Sequence, residues 1–372
     1  MADDTAAPIR MRGAGYYSEH TTGAKLVIDA AIPLVLAALD RMDLAASAAP
    51  FGIVDYGAAD GGTSLGLHRA LIAALRARSG RAITLTHTDL PHNDFSALFR
   101  LLHGLLPGKP GLDLADTPNL YSFASGTSFF RQIVPDGTLS LGFSATAMHW
   151  MSRLPSTLTD HVHAVGATGA ALAAFRAQAA ADWQDILLAR ARELAPGGRL
   201  VFANFCTDAS GFYLGWTGGQ NMHATFARHW RALHEAGAIS LDELRRATFP
   251  QFYRTPAEFC APFHDAASAV SRAGLRLEDC FTQITACPYA ERFRAGQPGP
   301  EFAHAYVPTL RSWSESMFYG ALDPTRPEGE RHGIVDRFYA AYEADVAAAP
   351  DGHGMDYVHC FMTIAKDTPP SP

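Results

Sequence analysis

Paired cysteines are missing. The five in the chain, Cys206, Cys260, Cys280, Cys287 and Cys360, are scattered without a C-x-x-C pair. An odd count at irregular spacing in a chain of 372 residues predicts reduced thiols and a reducing compartment. Positive charge is not in excess either: 30 Lys and Arg stand against 37 Asp and Glu, a formal net charge of -7. Nothing of that balance neutralises a phosphate backbone, so nucleic acid is excluded as a general partner. The start, Met1-Ala2-Asp3-Asp4, has no basic region leading into an apolar run, so no secretory signal is expected. The longest apolar stretch, Ala30 to Leu39, carries Pro33 and is short for a bilayer span. A cytoplasmic protein with no membrane partner is the expectation. With 48% hydrophobic and 18% charged residues, intrinsic disorder is excluded as well.

What is there alternates between strand and helix. Phe51 to Gly57 is a short β-rich run ending in glycine, and Thr63 to Arg78 spaces Leu65, Leu67, Leu71, Ile72 and Leu75 as a helix does. Ala82 to His87 reads as a strand, Asn93 to His103 as a helix, and Thr138 to Phe143 as a strand. Ala171 to Leu194 is a long helix with Pro196-Gly197-Gly198 as its stop, followed by the apolar strand Arg199 to Phe205. Such alternation predicts an α/β fold with a parallel sheet covered on both faces. From Gly211 to Phe263 the pattern turns helical (Thr225 to Glu235, Leu241 to Arg246), which reads as a cap. Leu275 to Ala286 and Tyr357 to Ala365 are late strands able to complete the sheet. The expected division is therefore 1–208 for the core, 209–270 for the cap, and 271–372 for the remaining strands with a further cap helix at 302–345.

The run Ile53-Val54-Asp55-Tyr56-Gly57-Ala58-Ala59-Asp60-Gly61-Gly62 brings a strand into a glycine-rich turn before a helix. Glycine permits left-handed backbone and close approach of a ligand, and a helix start offers unpaired N–H groups. The spacing is neither GxxxxGK[ST] nor GxGxxG, which disfavours a nucleoside triphosphate and a dinucleotide. A carboxylate inside the strand suits a cationic ligand such as S-adenosylmethionine, and a plain tight turn is the competing reading. Asp89, at the end of the second strand, has the position of a ribose-binding acid. Its plainer reading is a helix N-cap.

Six segments in order resemble the SABATH methyltransferases, which move a methyl group from S-adenosylmethionine to carboxylates or, in one branch, to purine nitrogens. They are Gly15-Tyr16-Tyr17-Ser18-Glu19-His20-Thr21, Val54-Asp55-Tyr56-Gly57, Thr88-Asp89-Leu90-Pro91-His92-Asn93-Asp94-Phe95, Gly126-Thr127-Ser128-Phe129, Phe143 to Ser152 with His149-Trp150, and Pro196-Gly197-Gly198. The resemblance implies a Rossmann-like class I methyltransferase sheet with a mostly helical cap, and a homodimer. It implies S-adenosylmethionine as cofactor, contacted by Tyr17, Thr21, Asp55, Gly57, Asp89, Leu90, Ser128, Phe129, Ser144 and Ala145. Trp150 matches the indole that holds the substrate carboxylate, with His149 or His20 sharing the task. Among the aromatic and apolar residues of the cap, Trp313 and Met222 are the expected pocket walls. Phe129 and Leu90 as core, Ser128 and Thr21 as helix caps, and Trp150 as a plain buried aromatic are the duller alternatives.

Three departures stand out. The family's carboxylate-binding glutamine is replaced by Ala24, beside Lys25; its asparagine after the glycine turn is replaced by Thr63. The cap stretch in which some members bind magnesium reads Arg245-Arg246-Ala247-Thr248-Phe249, so no metal is expected.

A carboxylate acceptor, with a pKa of about 4, is already ionised at neutral pH and needs no general base. The absence of a Ser/His/Asp or paired-carboxylate signature therefore does not argue against an enzyme. The expected activity is methylation of a small hydrophobic or aromatic carboxylic acid to its methyl ester. Methylation of nitrogen or phenolic oxygen, and a cofactor-binding homologue without turnover, are the alternatives.

Overall fold

The computed structural model describes residues 21–112, 114 and 117–368. In chain order its elements are α1 (Thr22–Asp40), β1 (Phe51–Tyr56), α2 (Leu65–Arg78), β2 (Ile83–Thr88), α3 (Phe95–Leu102), β3 (Leu120–Ser125) and β4 (Leu139–Ala145). Then come α4 (Gly169–Glu193), β5 (Leu194–Phe205), α5 (Met222–Glu235), α6 (Leu241–Arg246), α7 (Pro256–His264), α8 (Ala269–Arg272) and β6 (Leu275–Thr285). The chain finishes with α9 (Pro288–Arg294), α10 (Gly299–Ala321), α11 (Glu328–Ala348) and β7 (Tyr357–Lys366).

The seven strands form one sheet in the order β3-β2-β1-β4-β5-β7-β6. The first five are parallel, and β7 runs antiparallel between β5 and β6. Every residue of β1 and β4 is buried, as a central strand covered on both faces requires. Alternate residues feed two cores. Ile53, Phe143, Val201 and Phe361 face α1, α2 and the cap, whereas Val54, Tyr56, Leu200 and Phe202 face α4. The late strands thus complete the sheet begun in the first half.

Several expectations need correction. The apolar stretch around Pro33 lies inside α1, a 19-residue helix long and apolar enough by length and composition to cross a membrane. Here it packs on the sheet and on α2, burying Val27, Ile28, Ala31, Val35 and Leu39. α4 ends at Glu193, just before the Pro196-Gly197-Gly198 stop as expected, but the strand begins earlier than Arg199: the Pro-Gly-Gly run sits in β5, where the pairing with β4 jumps from Leu139↔Leu194 to Leu141↔Arg199. The single cap helix expected at 302–345 is two helices, α10 and α11, separated by a turn containing Pro324 and Pro327. Within the expected 209–270 cap, α7 packs on the opposite face of the sheet, where Trp183 Nε1 donates to the Phe259 carbonyl at 3.0 Å.

The cap proper is aromatic. Phe226 and Trp230 of α5 meet Phe318 of α10 and Phe338 of α11 with ring centroids 5.0–5.9 Å apart. On the other face, a buried ion pair ties a loop to the sheet. Arg190 Nε and Nη2 donate to Glu193 at 2.7 and 2.6 Å, and Tyr56 Oη donates to the same carboxylate at 2.5 Å. The remaining guanidinium N–H groups reach the carbonyls of Phe129 and Arg131, both at 2.7 Å. Losing one partner of such a pair strands a buried charge, at a cost of about 3–5 kcal/mol.

Buried histidines have no such compensation. His68 on α2 and His87 on β2 flank Asp55, with Nε2 of His68 at 3.4 Å and Nδ1 of His87 at 3.9 Å from Asp55 Oδ2. Burial lowers His68 to about 4, and both His87 and His359 to about 3. An unfolded histidine titrates near 6.5, so below that pH the unfolded chain binds more protons than the folded one. Stability is then fully present above pH 6.5 and is lost progressively as pH falls toward 4 and 3. Between pH 6.5 and 5 each of these three histidines costs on the order of 2 kcal/mol, a large share of a domain's usual 5–15 kcal/mol. Burial raises Asp55, which opposes the loss in part. We predict a marked drop in the guanidinium midpoint from pH 7.5 to pH 5.0 in equilibrium unfolding; an unchanged midpoint would contradict neutral burial of these rings.

Candidate active site

The carboxyl-terminal ends of β1, β2 and β4 lie side by side along one edge of the sheet, where open α/β sheets hold ligands in a crevice. Gly57 leaves β1 with φ +81°, and a side chain there would put Cβ 2.5 Å from the Ala147 Cβ, so only glycine fits. The N–H groups of Gly57 and Ala58 both donate to the Thr88 carbonyl, at 2.9 and 3.0 Å, locking the turn to the end of β2.

The Asp89-Leu90-Pro91-His92-Asn93-Asp94-Phe95 run has a divided task. Asp89 Oδ2 accepts the Ala59 N–H at 2.8 Å, and Oδ1 accepts its neighbour Leu90's N–H at 2.7 Å. Asn93 Nδ2 donates to the Ala59 carbonyl at 2.7 Å, clamping the same turn. The N-cap of α3 is Asp94, accepting from Ala97 N at 2.9 Å, so Asp89 is released from the capping role. Each Asp89 oxygen keeps acceptor capacity beyond its one backbone bond. Burial raises the Asp89 carboxyl, and the two backbone donors pull it back down.

Gly57, Asp89, Leu90 and the Ser128-Phe129 loop converge at this edge, the loop held from behind by Arg190. Ser128 caps no helix; its hydroxyl accepts from Phe130 N at 3.5 Å, and the Phe129 ring lies 4.7 Å from that of Phe130. Three expected contacts turn elsewhere. Asp55 is 3% exposed and accepts the Ser64 hydroxyl at 2.7 Å, facing α2 rather than the crevice. Ser144 is fully buried and donates to the Tyr56 carbonyl at 2.8 Å, and Ala145 packs in the core. The reason is strand alternation: these side chains point across the sheet while a ligand at its end meets backbone. Tyr17 and His20 lie outside the described residues.

Beside the crevice, under the cap, lies a hollow with about 400 Å³ of empty space including its mouth. Its lining includes three expected residues, Trp150, His149 and Trp313, together with Thr21. Met222 is not in the lining; it is buried against Gly215. Thr21 stands at the N-cap of α1 without a side-chain capping bond. One turn on, Ala24 presents a methyl group. Gly23 lets α1 lie against Tyr357, whose ring atoms would be 2.1 Å from any Cβ there.

The His149-Trp150 segment is fixed by strong local bonds. Ser152 N–H and Oγ donate to Asp182 at 3.0 and 2.6 Å, which explains the serine two places after the indole. Arg254, fully buried, donates Nη1 to the Met148 carbonyl at 3.0 Å and two further N–H groups to the Ala179 carbonyl. Burial lowers this guanidinium to about 10, still charged at neutral pH. Met151 N–H donates to Pro250 O and Phe252 N–H to His149 O, at 2.8 and 2.9 Å, pairing Trp150 antiparallel with Gln251.

Sequence reading missed Thr146, Phe205, Leu214, Gln251, Met355 and Tyr357 in the lining. They come from five separate segments, and apart from Thr146, which lies inside the Phe143 to Ser152 run, none carries a local signature. It also missed a histidine array: His163 stacks on His223 at 4.2 Å and approaches Tyr253 at 4.5 Å. Burial holds His149, His163 and His223 well below the ordinary histidine value, so all three are neutral at neutral pH.

Two other features lie apart from the hollow. Asp55, His68 and His87 place ligand atoms within 4.8 Å of one another, the one group among the described residues arranged for a cation. It lies in the core beneath α2, away from the hollow's lining. A wider depression crosses the opposite, amino-terminal ends of the strands, past Arg41, Arg81, Arg199 and Arg276. Arg41, Arg199 and Arg276 there already pair with Glu278 or Asp279, and that end of a parallel sheet is not where ligands bind.

Comparison with known proteins agrees with this geometry. The chain is 29% identical to the methyltransferase LUC1 of Fusarium sp over 55% of its own length and 53% of the relative's, so it spans about half of that protein. It is 26% identical to gibberellic acid methyltransferase 2 of Arabidopsis thaliana over 66% of this chain and 67% of that one. A solved structure of loganic acid methyltransferase with S-adenosylhomocysteine superposes with a TM-score of 0.74 at 17% identity, covering 97% of this chain and 99% of the other, a likeness of fold. The family model described as SAM-dependent carboxyl methyltransferase matches residues 9–267. With that match covering well over half of its length, the chain belongs to the S-adenosylmethionine-dependent carboxyl methyltransferases, the SABATH family.

Proposed function

We propose that the protein methylates the carboxylate of a small hydrophobic or aromatic acid, converting it to a methyl ester. The observation that carries this reading is the junction of two spaces. The strand ends that carry Gly57 and the half-buried acid Asp89 lie, through Ala147, beside a hollow walled by Trp150, Phe205, Leu214, Trp313 and Met355.

The residues present fit the methyl donor. Gly57 allows its close approach, and Asp89 has acceptor capacity for both ribose hydroxyls. Leu90 and Phe129 supply apolar surface on either side, and Ser128 and Thr21 supply hydroxyls. When bound, S-adenosylmethionine supplies a methyl group activated by a sulfonium. In the reaction the bond from methyl to sulfur breaks as the bond from methyl to carboxylate oxygen forms, the electron pair going to sulfur. The chain's task is to hold the acid in line at about 3 Å and to keep water out. Trp150 offers its indole N–H to one carboxylate oxygen, His149 stands beside it as a neutral ring, and the apolar walls take the rest of the acid.

Phenolic oxygen or ring nitrogen as acceptor is the second reading, for which the neutral His149 in the hollow's lining is the nearest base, though burial weakens it by holding its pKa well below the ordinary value. We further propose a cytoplasmic homodimer. The family resemblance supports the dimer, and the five free cysteines support a reducing compartment.

Incubation with methyl-labelled donor and benzoate, phenylacetate, cinnamate or octanoate is expected to yield label that is released as methanol by mild base. A phenol and a purine are run in parallel: base-stable product from either would favour the second reading, and no labelled product from any acid, phenol or purine would sink both. Replacement Asp89→Ala is expected to weaken S-adenosylhomocysteine binding in calorimetry by roughly ten- to a hundredfold, as loss of a charged hydrogen-bonding partner does. Unchanged affinity would remove Asp89 from the donor site.

A further inference from the structure

We infer that Gln251 is the second donor that holds the substrate carboxylate, opposite neither a lysine nor an arginine but beside the Trp150 indole. The inference rests on the functional reading above and names a residue of that same site.

Gln251 is 1% exposed, lines the hollow, and its Nε2 has no hydrogen-bond partner among the described residues. An amide N–H left unpaired in a protein interior costs free energy unless something else takes it up. The other end of the amide is engaged, which settles its orientation. Tyr253 Oη donates to Gln251 Oε1 at 3.4 Å. That phenol is approached in turn by His223 Nε2 at 3.2 Å. His163 lies on the same side; its Nδ1 accepts from Val165 N–H at 3.1 Å, so the neutral ring carries its proton on Nε2. Toward that ring Gln251 acts as an acceptor, short of a full hydrogen bond. The carbonyl oxygen is therefore turned toward donors, and the NH2 group is the end left unpaired.

Backbone pairing sets its position. Trp150 and Gln251 face each other across an antiparallel bridge, which brings directly opposed Cβ atoms to about 4.5–5.5 Å. Side chains rooted that close can direct one N–H each at the two oxygens of one carboxylate. On the α1 wall, Ala24 contributes only a methyl group, so the donor expected there is supplied from the cap side of the hollow. Because Gln251 is uncharged, it binds the anion without adding a buried cation that would need its own partner.

The test uses Gln251→Leu, which removes the donor, and Gln251→Glu at pH 8.5, which keeps an acceptor for Tyr253 but places an anion against the substrate. Full-length proteins are assayed for S-adenosylhomocysteine binding by calorimetry, for binding of phenylacetate to that complex, and for KM and kcat with the same acid. Both variants are expected to bind S-adenosylhomocysteine like the parent, which also reports that they fold. Gln251→Leu is expected to raise KM and the acid's Kd roughly ten- to a hundredfold, and Gln251→Glu to raise them further. Parent-like KM and Kd in Gln251→Leu overturn the inference while the carboxyl-methylating parent upholds the functional reading. A parent that binds no acid and forms no ester overturns both.

Discussion

An anion has to be received in an enclosure built from aromatic and aliphatic side chains, and this requirement organises the site. A buried cation would meet it at the cost of its own desolvation, and would also repel a sulfonium donor. In the proposed arrangement the conflict is resolved with uncharged groups. His149, His163 and His223 are held neutral by burial, and Trp150 and Gln251 present N–H donors without formal charge. Arg254, the nearby buried cation, is turned onto the backbone carbonyls of Met148 and Ala179, away from this duty. In this account the positive charge that balances the substrate arrives with the methyl donor and disappears in the same step.

The rest of the fold serves to bring two independent edges together. The glycine turn after β1 and the clamp made by Asp89 and Asn93 shape the donor side. Ser152 on Asp182 and Arg254 on Met148 fix the Trp150 turn to α4, and the pairing of 149–152 with 250–252 carries the cap's Gln251 to it. The buried pair Arg190–Glu193 does the same for the Ser128-Phe129 loop. Buried polar networks of this kind are costly when broken and stiff when complete, which suits a reaction that depends on alignment.

Much of this was legible in the sequence where the signal is local. The strand–turn–helix around Gly57 and the Asp89 to Phe95 run fold as short, self-contained units whose residues bond to one another. The helix Ala171 to Leu194 was readable for the same reason, its end marked by the Pro196-Gly197-Gly198 stop beside it. What was illegible depends on distant segments. Asp55 and Ser144 sit in the right strands, yet alternation turns their side chains into the core. Pro33 disguised α1, because a proline inside an apolar run reads as a break until packing against the sheet holds the helix together. Gln251 carries no motif at all; its meaning comes from a backbone bridge to a residue 101 positions earlier and from a phenol that occupies its oxygen.

The most direct measurement is a crystal structure of the protein with S-adenosylhomocysteine and an accepted acid bound together. The account predicts the carboxylate between the Trp150 indole nitrogen and the Gln251 amide nitrogen, at 2.7–3.2 Å from each, with one oxygen facing the sulfur. A carboxylate seated instead against a charged side chain, or an acid lying outside the hollow, would contradict it.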